Sequence, residues 1–480
     1  MKKWNLATII ILVSCPLISM GQGIIHLGDQ REIFVDDYLI DKFDGISMQM
    51  HHPRDEGPVM YFDKPWEGAF SAYITIIKEN DMYRAYYRGI PKAGNDGNEN
   101  EVTCYAQSKD GIHWEKPNLA LYEVDGSYNN NVVLAHAAPM THNFSPFLDT
   151  NPKALPAERY KALGGTQPSG LIAFVSSDGL RWKKKQETPV LQGYLDTQNV
   201  AFWSESEQRY LCYSRDLTNE WKEGTIRLVC RATSSDFINW SPFVRMTFGD
   251  APLEQLYTNQ TSPYFRAPHI YVAIGGRFFP GKRILSAEQA KEMNVDPAYF
   301  KDCSDAFFMT SRGGDKYDRT FLEAFIRPGI GLNNWVSRSN YPALNVVQTS
   351  TTEMSLYVGQ DYAQPTAHLH RYSLRLDGFT SLAAPYKGGE VITKLFTFNG
   401  SELEINYSTS AAGEIRFEIQ DVNGKPISGY TIEDSPTIIG NEIARIVHWK
   451  SGKSLKELIG KPVRLRMVIK DADLYSIKFN

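Results

Sequence analysis

Residues 176–182, Ser-Ser-Asp-Gly-Leu-Arg-Trp, decide the fold because their pattern recurs along the chain. Residues 108–114 repeat the pattern S-x-D-G-x-x-W, and residues 234–240 keep all of it except the glycine. Residues 311–317 form a fourth, degraded copy. A β-rich apolar run precedes each copy, and an Asp-Gly pair directly after such a run favours a tight turn. The sequence therefore predicts one small β-sheet for each copy.

The spacing of the copies indicates how these sheets are arranged. Their first serines lie 68, 58 and 77 positions apart, so the repeating unit is a whole sheet with long loops. Small sheets that cannot bury their own faces and that recur along a chain are typical of a β-propeller. Runs that fit the first strand of a blade indicate five blades: 73–77, 144–148, 199–203, 262–265 and 354–358.

The two ends of the chain complete this architecture. The apolar run 32–40 precedes blade one and is predicted to supply the outer strand of blade five, which closes the ring and removes exposed edges. The blade pattern stops near residue 386, and the alternating strands of residues 387–480 predict a β-sandwich. Helical patterns are confined to 286–300, with a capping signal at Ser286 and Gln289, and to 454–459. We therefore predict an all-β protein, with a five-bladed β-propeller at 23–386 followed by a C-terminal β-sandwich at 387–480.

Residues 1–22 have the features of a secretory signal. Lys2 and Lys3 precede a short apolar run, and small residues stand at 19–21. The run is too short to span a bilayer. A lipid-attached Cys15 is the alternative, because residues 12–15 fit a lipobox, although Pro16 argues against it. We expect a secreted or periplasmic protein without a membrane span.

Charge and cysteine content exclude several classes of partner. The net charge is −4, or −6 without the two lysines of the signal, so neither nucleic acid nor an anionic membrane is expected as a partner. The four remaining cysteines have no C-x-x-C spacing, so no metal knuckle or redox pair is indicated. We expect buried free thiols, with a Cys212–Cys230 disulfide as the alternative. No cofactor is predicted, and a metal ion on the propeller axis is left open.

A secreted five-bladed propeller with S-x-D-G-x-x-W blade ends and a following β-sandwich resembles a superfamily of glycoside hydrolases, that of invertase, levansucrase and arabinanase (families 32, 43, 62, 68 and 117). The resemblance covers nearly all of the mature chain in architecture. The invertase motif W-M-N-D-P-N-G and the E-C acid motif are missing. Residues 213–216 resemble the R-D-P motif, but Leu217 stands in place of the proline. The resemblance implies hydrolysis of a poly- or oligosaccharide.

Glycoside hydrolysis needs two carboxylic groups that flank the bond to be cleaved. In a propeller the starting ends of the innermost strands converge on the axis, so acids just before those strands are the candidates. They are Glu67, Asp196 and Glu353. We predict Asp196 and Glu353 as the acid and base in some order, with Glu67 as a third carboxylate. The structural alternatives are a solvated loop carboxylate for Glu67, a turn cap for Asp196, and for Glu353 a salt bridge with Arg371.

Substrate-binding groups are predicted beside these acids. Trp66 is placed to stack on a sugar face, and Arg266 and His269 are candidates for binding a carboxylate or sulfate. The positions before the first strands of blades two and four carry hydrogen-bonding groups, namely His142, Asn143 and Asn259. For the two histidines a structural role is the alternative. The repeated Asp110, Asp178 and Asp236 are predicted to be turn residues.

Two other functions fit the same pattern. A carbohydrate-binding propeller without catalysis would use the same aromatic and amide groups, but its central acids would be replaceable by amides. A polysaccharide lyase would use His142 or Tyr257 as its base, with Arg266 neutralising a uronate.

Overall fold

The structure is a computed structural model that describes residues 23–94 and 97–480. The predicted signal and Cys15 lie outside the described residues. Within the described ranges the chain has one α-helix, α1 (Ala287–Glu292), and two short 3-10 helices, at Pro156–Glu158 and Leu455–Leu458. The predicted capping box forms between Ser286 and Gln289. No helix in these ranges combines the length and the apolar character needed to cross a bilayer.

The chain begins with five strands that lie outside the first four blades. They are β1 (Ile25–Gly28), β2 (Arg31–Ile33), β3 (Ile40–Asp44), β4 (Ser47–Met50) and β5 (Arg54–Tyr61).

Four blades follow in chain order, each an antiparallel sheet of consecutive strands. Blade one contains β6 (Ala72–Glu79), β7 (Met82–Gly89), β8 (Val102–Ser108) and β9 (Val132–Leu134). Blade two contains β10 (Ser145–Leu148), β11 (Tyr160–Gly164), β12 (Ile172–Ser176) and β13 (Lys183–Lys184). Blade three contains β14 (Val200–Ser204), β15 (Arg209–Leu217), β16 (Arg227–Ser234) and β17 (Val244–Arg245). Blade four contains β18 (Thr261–Tyr264), β19 (Ala267–Phe279) and β20 (Cys303–Ser311).

Blade five combines both ends of the propeller segment. Its strands are β21 (Tyr341–Pro342), β22 (Val347–Gln348), β23 (Glu353–Gln360) and β24 (His368–Arg375), and β5 pairs with β24 as the outer strand. The predicted five-bladed propeller is thus confirmed.

Two details of the prediction for blade five are wrong. The closing strand is β5, whereas the predicted run 32–40 contributes β2, which pairs with β30 in the C-terminal sheet. The run 354–358 belongs to the second strand, β23, because the first strand is divided into β21 and β22. These two pieces have only two residues each, so they show no apolar alternation in the sequence.

The innermost strands surround the axis and begin on one face of the propeller, here called the upper face; they end on the lower face. Below the upper face, polar side chains link them. Gln198 Nε2 donates to Thr75 Oγ1 of blade one at 2.9 Å, and Gln260 Nε2 donates to Gln198 Oε1 at 2.6 Å. Gln260 Nε2 also donates to the carbonyl of Pro342 at 2.9 Å. These bonds tie blades one, three, four and five together across the axis.

The C-terminal part adds β25 (Thr380–Ala384), β26 (Gly389–Thr393), β27 (Phe396–Phe398), β28 (Leu403–Gln420), β29 (Asn441–Val447) and β30 (Arg464–Phe479). The long strands β28 and β30 pair along their length within an eight-stranded sheet that also includes β2, β3 and β4. β1 and β27 form a separate two-stranded sheet. The β-sandwich and the boundary at residue 386 stay predictions.

The repeated turn has the predicted role. Asp178 Oδ1 accepts the backbone N–H groups of Leu180 and Arg181, both at 2.8 Å. Although partial burial raises the pKa of Asp178, the hydrogen bonds from the backbone outweigh it and lower the pKa to about 2. Asp110 and Asp236 accept the equivalent bonds in their own turns. The three aspartates are therefore turn residues, as expected.

Gly179 shows why the turn needs a glycine. Its φ is +75°, and a Cβ at this position would lie 2.6 Å from the hydroxyl of Tyr86 in blade one. Trp182 packs edge-on against the same Tyr86, with ring centroids 6.3 Å apart. The turn of blade two therefore sits directly on blade one and couples the two sheets.

The four cysteines after the predicted signal are free and buried, as expected: Cys104, Cys212, Cys230 and Cys303. The alternative Cys212–Cys230 disulfide is not formed.

Substitution of Gly179 by alanine tests this packing. Gly126 has the same φ of +75°, but a Cβ there meets nothing within 4 Å. Gly126→Ala should lower the free energy of unfolding by about 1 kcal/mol through backbone strain alone. Gly179→Ala should cost about 1–3 kcal/mol more, because the methyl group also overlaps Tyr86. Chemical denaturation measures both variants, and equal losses would contradict the contact between the blades.

Candidate functional site

Asp196 lies at the upper face, just before the innermost strand of blade three. Its carboxylate is 38% exposed and is held by Arg215, whose Nη1 lies 2.9 Å from Oδ2. Arg215 stands near the end of β15, where the second strand of the blade returns to the upper face. The side chain of Arg215 is buried, and its Nη2 donates to the carbonyl of Tyr257 at 3.1 Å. Asp196 is therefore a fixed and partly open carboxylate.

His142 connects Asp196 with a second, buried acid. His142 Nδ1 lies 3.0 Å from Glu101 Oε1, and His142 Nε2 lies 3.9 Å from Asp196 Oδ1. The amide nitrogen of Asn143 lies 3.0 Å from the same Nε2. When His142 is neutral, this ring nitrogen accepts a hydrogen bond from the Asn143 amide. When His142 is protonated, the N–H at this nitrogen faces Asp196. Glu101, His142 and Asp196 thus form a row that ends at the upper face.

The charges in this row affect one another. Burial lowers the pKa of His142, but Asp196 and Glu101 outweigh this effect and raise it above its ordinary value. Burial raises the pKa of Asp196 and of Glu101, but His142 and the nearby arginines outweigh it and lower both pKa values. The site consequently favours an imidazolium between two carboxylates.

Aromatic rings and further arginines surround Asp196. Tyr73 stands at the start of blade one with a left-handed φ of +53°, and the guanidinium of Arg88 lies 4.7 Å from its ring centroid. Burial raises the pKa of Tyr73 far above its usual value, so its hydroxyl stays protonated. Three guanidinium groups lie near the ring centroid of Tyr257, those of Arg215 at 4.6 Å, Arg227 at 5.2 Å and Arg338 at 5.5 Å.

Two of the predicted groups lie away from this site. Glu67 is completely buried, and its carboxylate binds Lys116 Nζ at 2.6 Å and the hydroxyl of Tyr87 at 2.6 Å. Trp66 donates from Nε1 to Asn131 at 2.8 Å. Glu67 is therefore neither a solvated loop carboxylate nor an accessible acid; it neutralises an almost buried lysine.

The structure does not bring Glu353 to Asp196. Glu353 is the first residue of β23, which runs antiparallel to β21 and β22 and so begins at the lower face. There it binds Arg54 at 2.8 Å. The predicted Asp196–Glu353 pair is therefore wrong. The error follows from the misplaced first strand of blade five, because an acid before the second strand lies on the opposite face.

The predicted anion-binding residues are already neutralised elsewhere. Arg266 lies 3.2 Å from Asp377, and His269 lies 3.0 Å from Glu32. Both contacts join blade four to the terminal parts of the chain, so Arg266 and His269 are structural. Asn259 Oδ1 accepts the backbone N–H of Thr261 at 3.0 Å. Of the predicted binding residues, His142 and Asn143 are the two that lie beside Asp196.

Five residues at this site were not predicted as site residues from the sequence: Glu101, Arg215, Tyr73, Arg88 and Arg338. Arg88 and Arg215 carry a usable signal, because each is a charged residue near the end of a buried second strand. Glu101 precedes a third strand, and Arg338 lies in a loop.

In the part of the chain that the structure describes, no group of three or more His, Cys, Asp and Glu side chains is arranged to hold a metal ion. The groups at Asp196 offer an ionised carboxylate, an imidazolium and the protonated hydroxyl of Tyr73, which together suit proton transfer to and from a bound substrate.

Comparison with known proteins finds only distant likenesses. No family model matches the chain, and no curated protein matches it. An N-acetylgalactosamine deacetylase from F. plautii, solved with blood group B trisaccharide, is similar with a TM-score of 0.45 and 12% identity over 69% of this chain and 96% of that one. A family 43 arabinoxylan arabinofuranohydrolase from Bacillus subtilis is similar with a TM-score of 0.42 and 9% identity over 87% and 96%.

Removal of the Glu101 charge tests the row of charges. In Glu101→Gln the pKa of His142 should fall, because the imidazolium loses a carboxylate 3.0 Å from its Nδ1, so His142 should deprotonate at lower pH. NMR titration of histidine-labelled protein measures this, with the signal identified by its absence in His142→Gln. Glu99→Gln removes an exposed charge two residues away and should leave the titration unchanged. An unchanged pKa in Glu101→Gln would show that Glu101 does not control His142.

Proposed function

We propose that the protein is a glycoside hydrolase that cleaves a poly- or oligosaccharide at the upper face of the propeller. The observation that carries this proposal is the partly exposed Asp196, held by Arg215 and facing His142 at 3.9 Å. A secreted or periplasmic location, as the predicted signal indicates, forms part of the proposal.

Asp196 is assigned the role of the ionised carboxylate. Burial raises the pKa of this carboxyl, but His142 and Arg215 outweigh burial and lower it, so Asp196 stays charged at neutral pH. An ionised carboxylate beside the anomeric carbon acts as a nucleophile or activates water, and in both cases it stabilises the oxocarbenium-like transition state.

His142 is assigned the role of the proton donor to the leaving oxygen. His142 takes the place of the second carboxylate of the usual catalytic pair, because neither Glu67 nor Glu353 lies at the site. An imidazolium with a raised pKa is a suitable general acid near neutral pH. Glu101 is buried and contacts the histidine, so it is a positioning residue that keeps His142 protonated.

Trp221 takes the stacking role that was predicted for Trp66. Its indole is 46% exposed, and it lies beside the site, with the guanidinium of Arg215 5.9 Å from its ring centroid. An exposed indole with a supported face suits stacking on a sugar ring. The sugar next to the cleaved bond is therefore proposed to rest on Trp221.

A polysaccharide lyase is the second candidate function. The observation that favours it is the pair of tyrosines, Tyr73 and Tyr257, which stand among arginines that could neutralise a uronate. A lyase produces an unsaturated sugar that absorbs ultraviolet light, whereas a hydrolase produces a new reducing end without this absorbance. Measuring both signals on one panel of plant and algal polysaccharides separates the two candidates.

The roles of Asp196 and His142 are tested on the substrate found in that panel. Asp196→Asn and His142→Gln should each lower kcat/KM at least about a hundredfold, and circular dichroism at the assay temperature checks that each variant stays folded, because each substitution removes a partner of a buried charge, Arg215 or Glu101. Glu353→Gln, which changes an acid on the lower face, should keep activity within about twofold of the parent protein. A fully active Asp196→Asn would overturn the assignment, and so would carbohydrate binding without any product release by the parent protein.

The pH profile gives an independent test of the proton donor. If His142 must be protonated, kcat/KM should fall as pH rises through its raised pKa. Glu101→Gln should move this fall to lower pH, because the loss of the carboxylate lowers the pKa of His142. A profile that Glu101→Gln leaves in place would assign the proton transfer to another group.

Glu67 provides a contrast between stability and catalysis. Glu67→Gln removes the fully buried partner of Lys116 Nζ, which keeps Asp63 at 3.0 Å, and should lower the free energy of unfolding by about 1.5–3 kcal/mol. Glu353→Gln breaks the exposed pair with Arg54 and should lower the free energy of unfolding by at most about 1 kcal/mol. Chemical denaturation of the two variants measures the difference. Similar losses would argue against a buried structural role for Glu67.

A further inference from the structure

Beside Asp196 the site contains two arginines, Arg338 and Arg88, that form no ion pair with any described carboxylate. Arg338 is partly buried, with a φ of +63°, and its guanidinium lies over the rings of Tyr257, at 5.5 Å, and Tyr299, at 5.3 Å. Across residues 23–94 and 97–480, no carboxylate lies within 4.0 Å of this guanidinium. Its surroundings are therefore aromatic and neutral.

Arg88 has neutral partners as well. Its side chain is 7% exposed, and Nη2 donates to the carbonyl of Phe70 at 3.1 Å and to the hydroxyl of Tyr362 at 3.3 Å. Nη1 donates to Asn143 Oδ1 at 3.3 Å. Over the described ranges, 23–94 and 97–480, no carboxylate lies within 4.0 Å of Arg88 either. Arg88 lies over the ring of Tyr73, and the charge of Arg338 is near enough to affect the pKa of the same side chain, so both positive charges lie near Tyr73.

Two other arginines of the propeller, the buried Arg277 and the partly buried Arg312, are neutralised by carboxylates. Arg277 binds both oxygens of Asp305 at 2.8 Å and Glu254 at 2.6 Å. Arg312 binds Asp36 at 2.7 Å and Glu32 at 2.9 Å. Because a desolvated charge is costly without a counter-charge, Arg88 and Arg338 differ from these two arginines. Both lie at the candidate site without a direct ion pair among the described residues, and Glu101 acts on the charge of Arg88 only from beyond 4.0 Å.

The position of Arg338 relative to Asp196 follows from Tyr257. The ring of Tyr257 contacts the guanidinium of Arg215, which holds Asp196, and also that of Arg338. A sugar whose anomeric carbon lies at Asp196 therefore presents a ring substituent to Arg338. Tyr73, which contacts Arg88 and lies close enough to Asp196 for their charges to interact, borders the same space.

We propose that Arg338 and Arg88 bind an anionic substituent of the substrate, either the carboxylate of a uronic acid or a sulfate ester. The substrate of the proposed hydrolase is then an acidic glycan, and this inference rests on the proposed function for its place at the reaction centre. The planar guanidinium presents two parallel N–H donors that match the two oxygens of such a group. Arg266 and His269 do not serve this purpose, because Asp377 and Glu32 already neutralise them.

Binding of monosaccharides tests this inference apart from catalysis, because these sugars have no glycosidic bond to cleave. Glucuronate and galacturonate form the carboxylate arm, galactose 6-sulfate forms the sulfate arm, and glucose and galactose are the neutral controls. At least one acidic arm should bind the parent protein about tenfold more tightly than its neutral counterpart, and added salt should weaken this preference. The arm that binds identifies the anionic group.

Arg338→Gln should abolish the preference for the acidic sugar. Arg327→Gln, which changes an exposed arginine at the outer edge of blade four, should keep it. Retained preference in Arg338→Gln overturns the inference. Two results with the parent protein alone also overturn the inference: it binds acidic and neutral sugars equally, or it binds neither the carboxylate sugars nor the sulfated sugar. A protein that prefers acidic sugars but releases no product from any glycan would instead contradict the proposed hydrolase alone.

Discussion

The antiparallel pairing of β5 with β24 is the constraint on which the rest of the structure depends. It joins the two ends of the propeller segment within one sheet, so the ring closes at five blades and no blade edge is left open there. Closure also brings the starting ends of the innermost strands to one face. Asp196, His142 and Tyr73 come from three different blades, and they meet only because the ring is closed.

The alternating direction of strands within a blade determines which side chains reach the site. First strands begin at the upper face and second strands end there, so Asp196 before β14 and Arg215 near the end of β15 can form an ion pair. The same rule sends an acid before a second strand to the lower face, where Glu353 binds Arg54. Along β15 the side chains alternate, so Asp216 binds Arg245 while its neighbour Arg215 holds Asp196.

Charge balance separates the structural ion pairs from the candidate site. Glu67 with Lys116 and Arg277 with Asp305 are closed pairs in which each charge meets its opposite. Around Asp196, Arg88 and Arg338 form no direct ion pair within the described residues and contact tyrosine rings, hydroxyls and carbonyls instead. A site of this kind favours a substrate that brings a negative charge, which connects the proposed chemistry with the proposed acidic glycan.

The sequence by itself determined the features that depend on short stretches of chain. The turn at 176–182 uses bonds within a few residues, and the alternating apolar runs reflect a two-residue period, so the blades, their number and the turn role of Asp178 could be predicted. Asp196, His142 and Asn143 were found because they directly precede first strands. Only the tertiary structure decided which charges are neutralised. The partners of His269 and Glu353 lie 237 and 299 positions away along the chain, and no local pattern encodes such a pairing. The same holds for Arg338, whose surroundings are assembled from several blades by closure of the ring.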